Sequence, residues 1–409
     1  MKRPFFSGAL ATGAALATMV CASSTAFAAN PQCSTLGGDQ VYLAGSSAVK
    51  PVLKQLSATL KGAGSSIRLI YQSTASCNGL SEVATQTGDK TSGSYWDDAG
   101  TELKCDVDTT AGHIPDIGLS DVYASTCDGV TVPATGFKDF HGPVQVMTFV
   151  APPSSRESSI SAEAASVVYG FGGTGTVVTP WSDKTALFQR PDTSGTRRMI
   201  GKAIGLQISK WNGTEKSGSG DVLSAVHTAD ATNPNGGLGI LAADYADTNR
   251  AGTQSAVKIL AFQPKGSSCA LLPDSSSTSF DKVNVRSGKY TIWGALHLLT
   301  KVDGAGVPTN PNVKTVINYF TREGLDAAAK KTMIDTEVAA HTIPWCAMNV
   351  KRDGEVGDVQ SVAYQPEEPC GCYFESKAQG TAPSTCKACT ADTECGGSNK
   401  CRYGYCEAR

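Results

Sequence analysis

Beyond its first 30 residues the chain has no long apolar stretch. None of the later runs approaches the roughly 20 residues needed to span a bilayer, which excludes a membrane-embedded body. That absence bears only on membrane-spanning helices. The chain also lacks a charge excess. Its 35 Lys and Arg are scattered among 37 Asp and Glu, for a formal net charge of −2, and without a basic stripe a nucleic-acid partner is not expected. Histidine is scarce: His113, His141, His227, His297 and His341 are the whole set. None stands in a motif that pairs it with a nucleophile, so no hydrolase is legible and the chain is not expected to be an enzyme. His297, inside "IWGALHLL", reads as a core or helix-face residue because no second ligand lies at helical spacing. "GFGGTGT" (Gly170 to Thr176) lacks the Lys-Ser/Thr ending of a nucleotide loop and reads as a flexible connection. "WDDAG" (Trp96 to Gly100) reads as a solvated turn. No cofactor is implied, and no fixed-period repeat shows.

Cysteine, by contrast, is abundant, with 14 in 409 residues. The N-terminus explains how so many are tolerated. "MKRPFFSGALATGAALATMVCASSTAFAAN" has early basic residues, a weakly apolar run and a small-x-small site at Ala26-Phe27-Ala28, the pattern of an export signal cleaved after Ala28. A lipid anchor at Cys21 is the alternative, disfavoured by bulky Val20 before it. Export leads to an oxidising compartment, the periplasm or cell surface, where thiols pair. Removing Cys21 leaves an odd thirteen, so one thiol has no intramolecular partner. Metal binding by "CKAC" (Cys386 to Cys389) is the rival reading, but no second CxxC or His pair sits at zinc spacing, and no metal site is expected.

The distribution of the cysteines divides the chain. Six (Cys33, Cys77, Cys105, Cys127, Cys269, Cys346) are spread over the body, and seven crowd between Cys370 and Cys406. The crowded tail, 370–409, follows a Pro and Glu linker at 351–369 and reads as a separate disulfide-rich module, since it has little to bury. Upstream, short apolar runs alternate with amphipathic ones. "QVYLAGSS" reads as a strand, and Val49, Val52, Leu53, Leu56 and Leu60 then recur at helical spacing with Pro51 in the first turn. The same logic runs through "SIRLIYQS", "PDIGLSD", "VQVMTFVAPP", "SAEAASVVYGF", "SAVKILAFQP", "TIWGALHLLT" and "NVKTVINYFTREG". Alternation of this kind predicts an α/β fold with open parallel or mixed sheets.

Such sheets bind ligands at the carboxyl ends of their strands, where loops feed helix starts. Four clusters of small polar residues fall there: "GSSAV" from Gly45, "YQSTASCNG" from Tyr71, "GLSDVY" from Gly118 and "QRPDTSGTRRMIGKAI" from Gln189. In the fourth, Arg190 can donate two parallel hydrogen bonds, and Ser194, Gly195 and Thr196 offer donors at a helix start. Asp192, two residues from Arg190, is placed to orient the guanidinium. Taken alone, "DTSGT" reads as a capped helix after a turn, and a helix N-cap is the alternative role for Asp121.

In this order, "GSSAVKP", "YQSTASCNG", "GLSD" and "RPDTSGT" resemble the ligand loops of periplasmic phosphate-binding proteins, the solute receptors of phosphate ABC importers. "NGGLGILAADYA" (Asn235 to Ala246) is similar to a Gly-rich segment of that family, and the resemblance spans roughly residues 40 to 345. It implies a two-lobed solute-binding fold of type II, with lobe 1 at 38–141 and 291–350 and lobe 2 at 142–290. It implies phosphate held by Ser47, the Ala48 N–H, Ser76, Asp121, Arg190, Ser194, Gly195 and Thr196, with Asp192 steadying Arg190. Asp121 would accept from a protonated phosphate oxygen and repel sulfate. An ABC permease would be the partner, or an envelope surface contacted by the tail in a protein that keeps the fold without transport. Sulfate, molybdate or a phosphonate are the alternative ligands. The chain departs from the family pattern at Cys77 and Asn78, in the insertion from Thr85 to Ile114, and in the tail.

Overall fold

A computed structural model describes residues 29–172, 178–250, 255–356 and 361–407. The expected export signal and Cys21 lie outside the described residues, as do 173–176 of the Gly-rich run. The strands are β1 (Asp39–Gly45), β2 (Ile67–Gln72), β3 (Gly93–Trp96), β4 (Glu102–Cys105), β5 (Ile117–Ser120), β6 (Phe137–Ala151), β7 (Ser159–Ser161), β8 (Leu187–Gln189), β9 (Thr214–Glu215), β10 (Leu238–Ala242), β11 (Lys258–Ile259), β12 (Ala261–Gln263) and β13 (Trp293–Lys301), followed by the short β14 (Val350–Lys351), β15 (Val362–Ala363), β16 (Lys400–Arg402) and β17 (Tyr405–Glu407). Ten α-helices are described among them. They are α1 (Lys50–Gly62), α2 (Ser76–Thr85), α3 (Ala162–Phe171), α4 (Gly195–Ile204), α5 (Ser219–Thr232), α6 (Ala243–Arg250), α7 (Val283–Arg286), α8 (Pro311–Thr321), α9 (Ala327–Ala339) and α10 (Gly371–Gln379).

The main sheet is mixed, in the order β4-β3-β2-β1-β5-β13-β6-β10-β8-β9, with β11 also on β6. β1 lies between β2 and β5, parallel to both, with Leu43 opposite Tyr71 and Ile117. Its residues from Val41 to Gly45 are all buried, as a parallel strand covered on both faces requires. α1 starts with Pro51 in its first turn, where no N–H is needed, and buries Val52, Leu53, Leu56 and Leu60. The long β6 joins the two ends of the sheet. Its residues 137–146 pair with β13, and 147–151 pair with β10 and β11. β6 exchanges β13 for β10 between Val146 and Met147.

Two expectations need correcting. "TIWGALHLLT" is strand β13, not part of a helix, so His297 faces its neighbours with a period of two. The tail is not free-standing: from Pro31 onward the chain is one compact unit. Cys370 is bonded to Cys346 of the body, and Tyr373 and Phe374 of α10 are buried in the same core as Trp293 and Met348. Glu407, near the chain end, accepts from the N–H groups of Cys372 and Tyr373 at 2.9 Å each, and so caps α10. The tail's sparse apolar content had hidden these two aromatic anchors.

Among the described residues six disulfides form: Cys33–Cys105, Cys77–Cys127, Cys346–Cys370, Cys372–Cys386, Cys389–Cys401 and Cys395–Cys406. Exposed Cys269 is free, which supplies the odd thiol. "CKAC" holds two half-cystines with different partners, so the disulfide reading of the tail stands. No helix among the described residues is long and apolar enough to cross a membrane.

Candidate functional site

β1, β2 and β5 are parallel, so their carboxyl ends open on one edge of the sheet and deliver three of the four polar loops there. Asp121 immediately follows β5 and is 1% exposed. Its Oδ2 accepts from Ser46 Oγ at 2.8 Å, Ser76 Oγ at 3.3 Å and Thr196 Oγ1 at 3.4 Å, one hydroxyl from each of the other three loops. Its Oδ1 has no hydrogen-bond partner. Burial raises the Asp121 pKa above the ordinary carboxylate value, against the lowering effect of these hydroxyls and of Arg190.

Arg190, directly after β8, is 2% exposed. Its Nη1 donates to Ser219 Oγ and its Nη2 to the Ser217 carbonyl, both at 3.1 Å, while Nε has no partner. Burial lowers its pKa and the Asp121 carboxylate opposes that shift. A buried donor and a buried acceptor thus remain open within one electrostatically coupled cluster.

The helix starts around them are built for close approach. A Cβ on Gly195 would lie 2.5 Å from Ser76 Oγ and 2.8 Å from Asp121 Cβ, so only glycine lets α4 begin against the third loop. A Cβ on Gly45 would lie 2.0 Å from the Leu119 carbonyl, which fixes the exit of β1 against β5. The Cys77–Cys127 disulfide ties the first turn of α2 to the segment after β5. The departure from the family pattern at Cys77 is therefore a crosslink beside Ser76, and Ser76 does reach Asp121.

Of the residues expected together, Ser47, Ser76, Asp121, Arg190, Ser194, Gly195 and Thr196 are all buried in or beside this cluster. Ser194 is the N-cap of α4 and makes no side-chain capping bond. Two expectations differ. The Ala48 N–H is engaged by Ser46 Oγ at 3.2 Å. Asp192 does not steady Arg190: its side chain is exposed, and its backbone carbonyl accepts from Arg198 Nε at 2.7 Å. Pro191 intervenes and turns the two side chains apart. Sequence reasoning also missed Ser46 and Ser219. Ser219 opens α5, and its Oγ meets Ser47 Oγ at 2.9 Å; "SGSGD" (Ser217 to Asp221) before an amphipathic run was the available signal. Arg197 was missed as well; its Nη1 holds the Arg190 carbonyl at 2.9 Å. Asp244, in the first turn of α6, is 2% exposed, and burial drives its pKa well up with Asp121 adding to the rise.

No protein-family model matches the chain, and no curated protein does. Among solved structures it is similar to a "Phosphate ABC Transporter Substrate-Binding Protein with Bound Phosphate" from Clostridium perfringens, at 14% identity and a TM-score of 0.49 over 75% of this chain and 99% of that one. An ABC-type phosphate transport receptor from Vibrio cholerae matches at 13% identity and a TM-score of 0.44, over 74% and 99% of the two chains. The reduced OxyR regulatory domain from Pseudomonas aeruginosa matches at 8% identity and a TM-score of 0.38, over 72% and 96%. At such identities and TM-scores these likenesses assign this chain no ligand.

Proposed function

We propose that this protein is an exported receptor that captures inorganic phosphate between two lobes, 38–141 with 291–350 and 142–290, without making or breaking a bond. The observation that carries the reading is the pairing of two open, buried groups, Arg190 Nε and Asp121 Oδ1, inside a ring of hydroxyls. A phosphate monoanion or dianion satisfies both at once. Its bare oxygens accept from Arg190, Ser47, Ser194 and the Gly195 N–H, and from Ser76 and Thr196 once their hydroxyls turn from Asp121 Oδ2, and its remaining proton is donated to Asp121. Sulfate near neutral pH has no proton for Asp121, and a carboxylate facing an unprotonated anion is repulsive.

The groups are buried, and Ser47 and Ser219 touch across the site. Entry therefore requires these two helix starts to part, and a bound anion bridging them favours closure. Delivery to an ABC permease, or retention at the periplasmic or outer surface, would be the use of such a closed complex. Calorimetric titration of residues 29–409, stripped of anion with disulfides intact, tests the reading. Micromolar or tighter phosphate binding is expected, lost in Arg190→Ala and less selective against sulfate in Asp121→Asn. No heat with phosphate, sulfate or molybdate would leave an envelope or adhesion protein with a ligand-free fold as the better account.

A further inference from the structure

Away from the anion cluster, a second group of ligand-type side chains lies on the sheet itself. Asp139 and His141 are two residues apart on β6 and therefore share a face, while Phe140 between them points into the core. Antiparallel β13 places His297 directly opposite His141 in the register. Asp139, His141 and His297 thus converge on one face of two neighbouring strands, 158 residues apart in sequence. Helical spacing from His297 finds none of this.

We propose that Asp139, His141 and His297 form a binding site for a borderline divalent transition ion, Zn²⁺ or Cu²⁺ in class. The ligand atoms are Asp139 Oδ2, His141 Nε2 and His297 Nδ1, all within 4.8 Å of one another. Asp139 Oδ2 lies 2.7 Å from His297 Nδ1 and 3.8 Å from His141 Nε2. Ligand atoms of a tetrahedral centre with bonds of about 2.0–2.1 Å stand roughly 3.3 Å apart, so these two separations bracket the required one. Two imidazoles and one carboxylate suit Zn²⁺, Cu²⁺ or Ni²⁺, whereas Ca²⁺ and Mg²⁺ call for oxygen alone.

The surroundings support a bound cation with an open position. His141 and His297 line a cavity of about 140 Å³ together with Tyr123, Arg352, Asp353 and Glu355. The Tyr123 ring packs on His297 at 4.2 Å and on His141 at 5.8 Å, which restrains both imidazoles. Glu355, 5% exposed, accepts from the Tyr123 N–H at 2.6 Å and adds negative charge. Arg352 shares this cavity, where its guanidinium stacks on Trp293 at 3.9 Å and donates to the Thr291 carbonyl at 3.0 Å.

The test is metal uptake by residues 29–409 with disulfides intact, after chelator treatment, in a Cys269→Ser background that removes the one free thiol among the described residues. One Zn²⁺ per chain is expected by calorimetry and elemental analysis. Its affinity should fall at least tenfold in His141→Ala, a half-exposed position whose loss leaves the core intact, and in Asp139→Asn, and should stay unchanged in the exposed His227→Ala control. Cu²⁺ bound in its place should show two equatorial nitrogens by electron paramagnetic resonance. Absence of stoichiometric uptake, uptake that survives His141→Ala, or a Cu²⁺ spectrum with fewer than two nitrogens overturns the site.

Discussion

Gly195→Ala probes the convergence on which the anion site rests, because it adds one methyl where α4 meets the third loop. The new Cβ would stand 2.5 Å from Ser76 Oγ, 2.8 Å from Asp121 Cβ and 2.9 Å from Asp121 Oδ2. Ser76 can rotate its hydroxyl away and forgo its 3.3 Å bond to Asp121. Asp121 cannot retreat so easily, because its Cβ is fixed by the backbone leaving β5 and its carboxylate by Ser46 and Thr196. The start of α4 must therefore move by several tenths of an ångström. Overpacking of this kind costs about 1–3 kcal/mol, offset by up to about 1 kcal/mol from the better helix propensity of alanine. Net destabilisation of about 0–3 kcal/mol is expected, with phosphate affinity reduced at least tenfold because Thr196 and the Gly195 N–H leave their places. Gly62→Ala, at a helical glycine whose Cβ would meet nothing within 4 Å, is the control and should be neutral or slightly stabilising. Denaturant unfolding and calorimetry read both quantities. Wild-type phosphate affinity in Gly195→Ala would mean that α4 does not begin against Asp121, and the account of the site would fail.

The raised pKa of Asp121 gives a pH dependence with a defined sign. As pH falls through that raised value the carboxyl gains a proton it can donate, so the phosphate-to-sulfate affinity ratio should fall on acidification. Competition titrations from about pH 8 to 4 check this against Asp121→Asn, whose amide donates at every pH; identical pH profiles for the two proteins would refute it. Replacing both Cys77 and Cys127 by alanine opens a crosslink with a sequence separation of 50, a loss of about 4 kcal/mol on the loop-entropy model. Denaturant unfolding measures that loss, with a steeper slope because the uncrosslinked denatured chain exposes more surface, and phosphate affinity should fall with it because the crosslink fixes the start of α2 beside Ser76. Graded reduction with mass mapping of alkylated cysteines should label exposed Cys269 without reductant and open Cys372–Cys386 before buried Cys77–Cys127. Early labelling of Cys77 would contradict the burial order.

The strand and helix alternation was readable where a buried strand is a short apolar run, as in β1, and where a helix carries a start signal, as at Pro51 of α1 and Asp326 of α9. The polar loops were readable because only loops at strand ends tolerate so many small hydroxyl residues between apolar elements. Side-chain direction was not. Asp192 lies near Arg190 in sequence, yet Pro191 intervenes, and the guanidinium finds Ser217 and Ser219 more than 25 residues on. β13 is buried along most of its length, so "WGALHLLTK" shows no alternation, and a continuous apolar run cannot separate strand from helix. That ambiguity hid the neighbour of His297, since a partner across a sheet has no fixed sequence spacing.

The segments that depart from the family pattern follow one physical rule. Each is tied to the rest of the chain by one disulfide, and the insertion also by the pairing of β3 with β2 and by buried Tyr95 and Trp96. The insertion forms β3 and β4, whose outer strand is bonded through Cys105 to Cys33. The tail is bonded through Cys370 to Cys346, and its remaining pairs are internal. A crosslink lowers the entropy of the unfolded chain without needing a large core, which suits the tail, the poorer of the two in apolar residues. Tyr373 and Phe374 then decide where the tail lies, because they are its large apolar groups buried in the body's core. Composition alone reads the tail as detached, since composition counts apolar residues without showing that two of them, next to the anchoring cysteine, are enough to seat it.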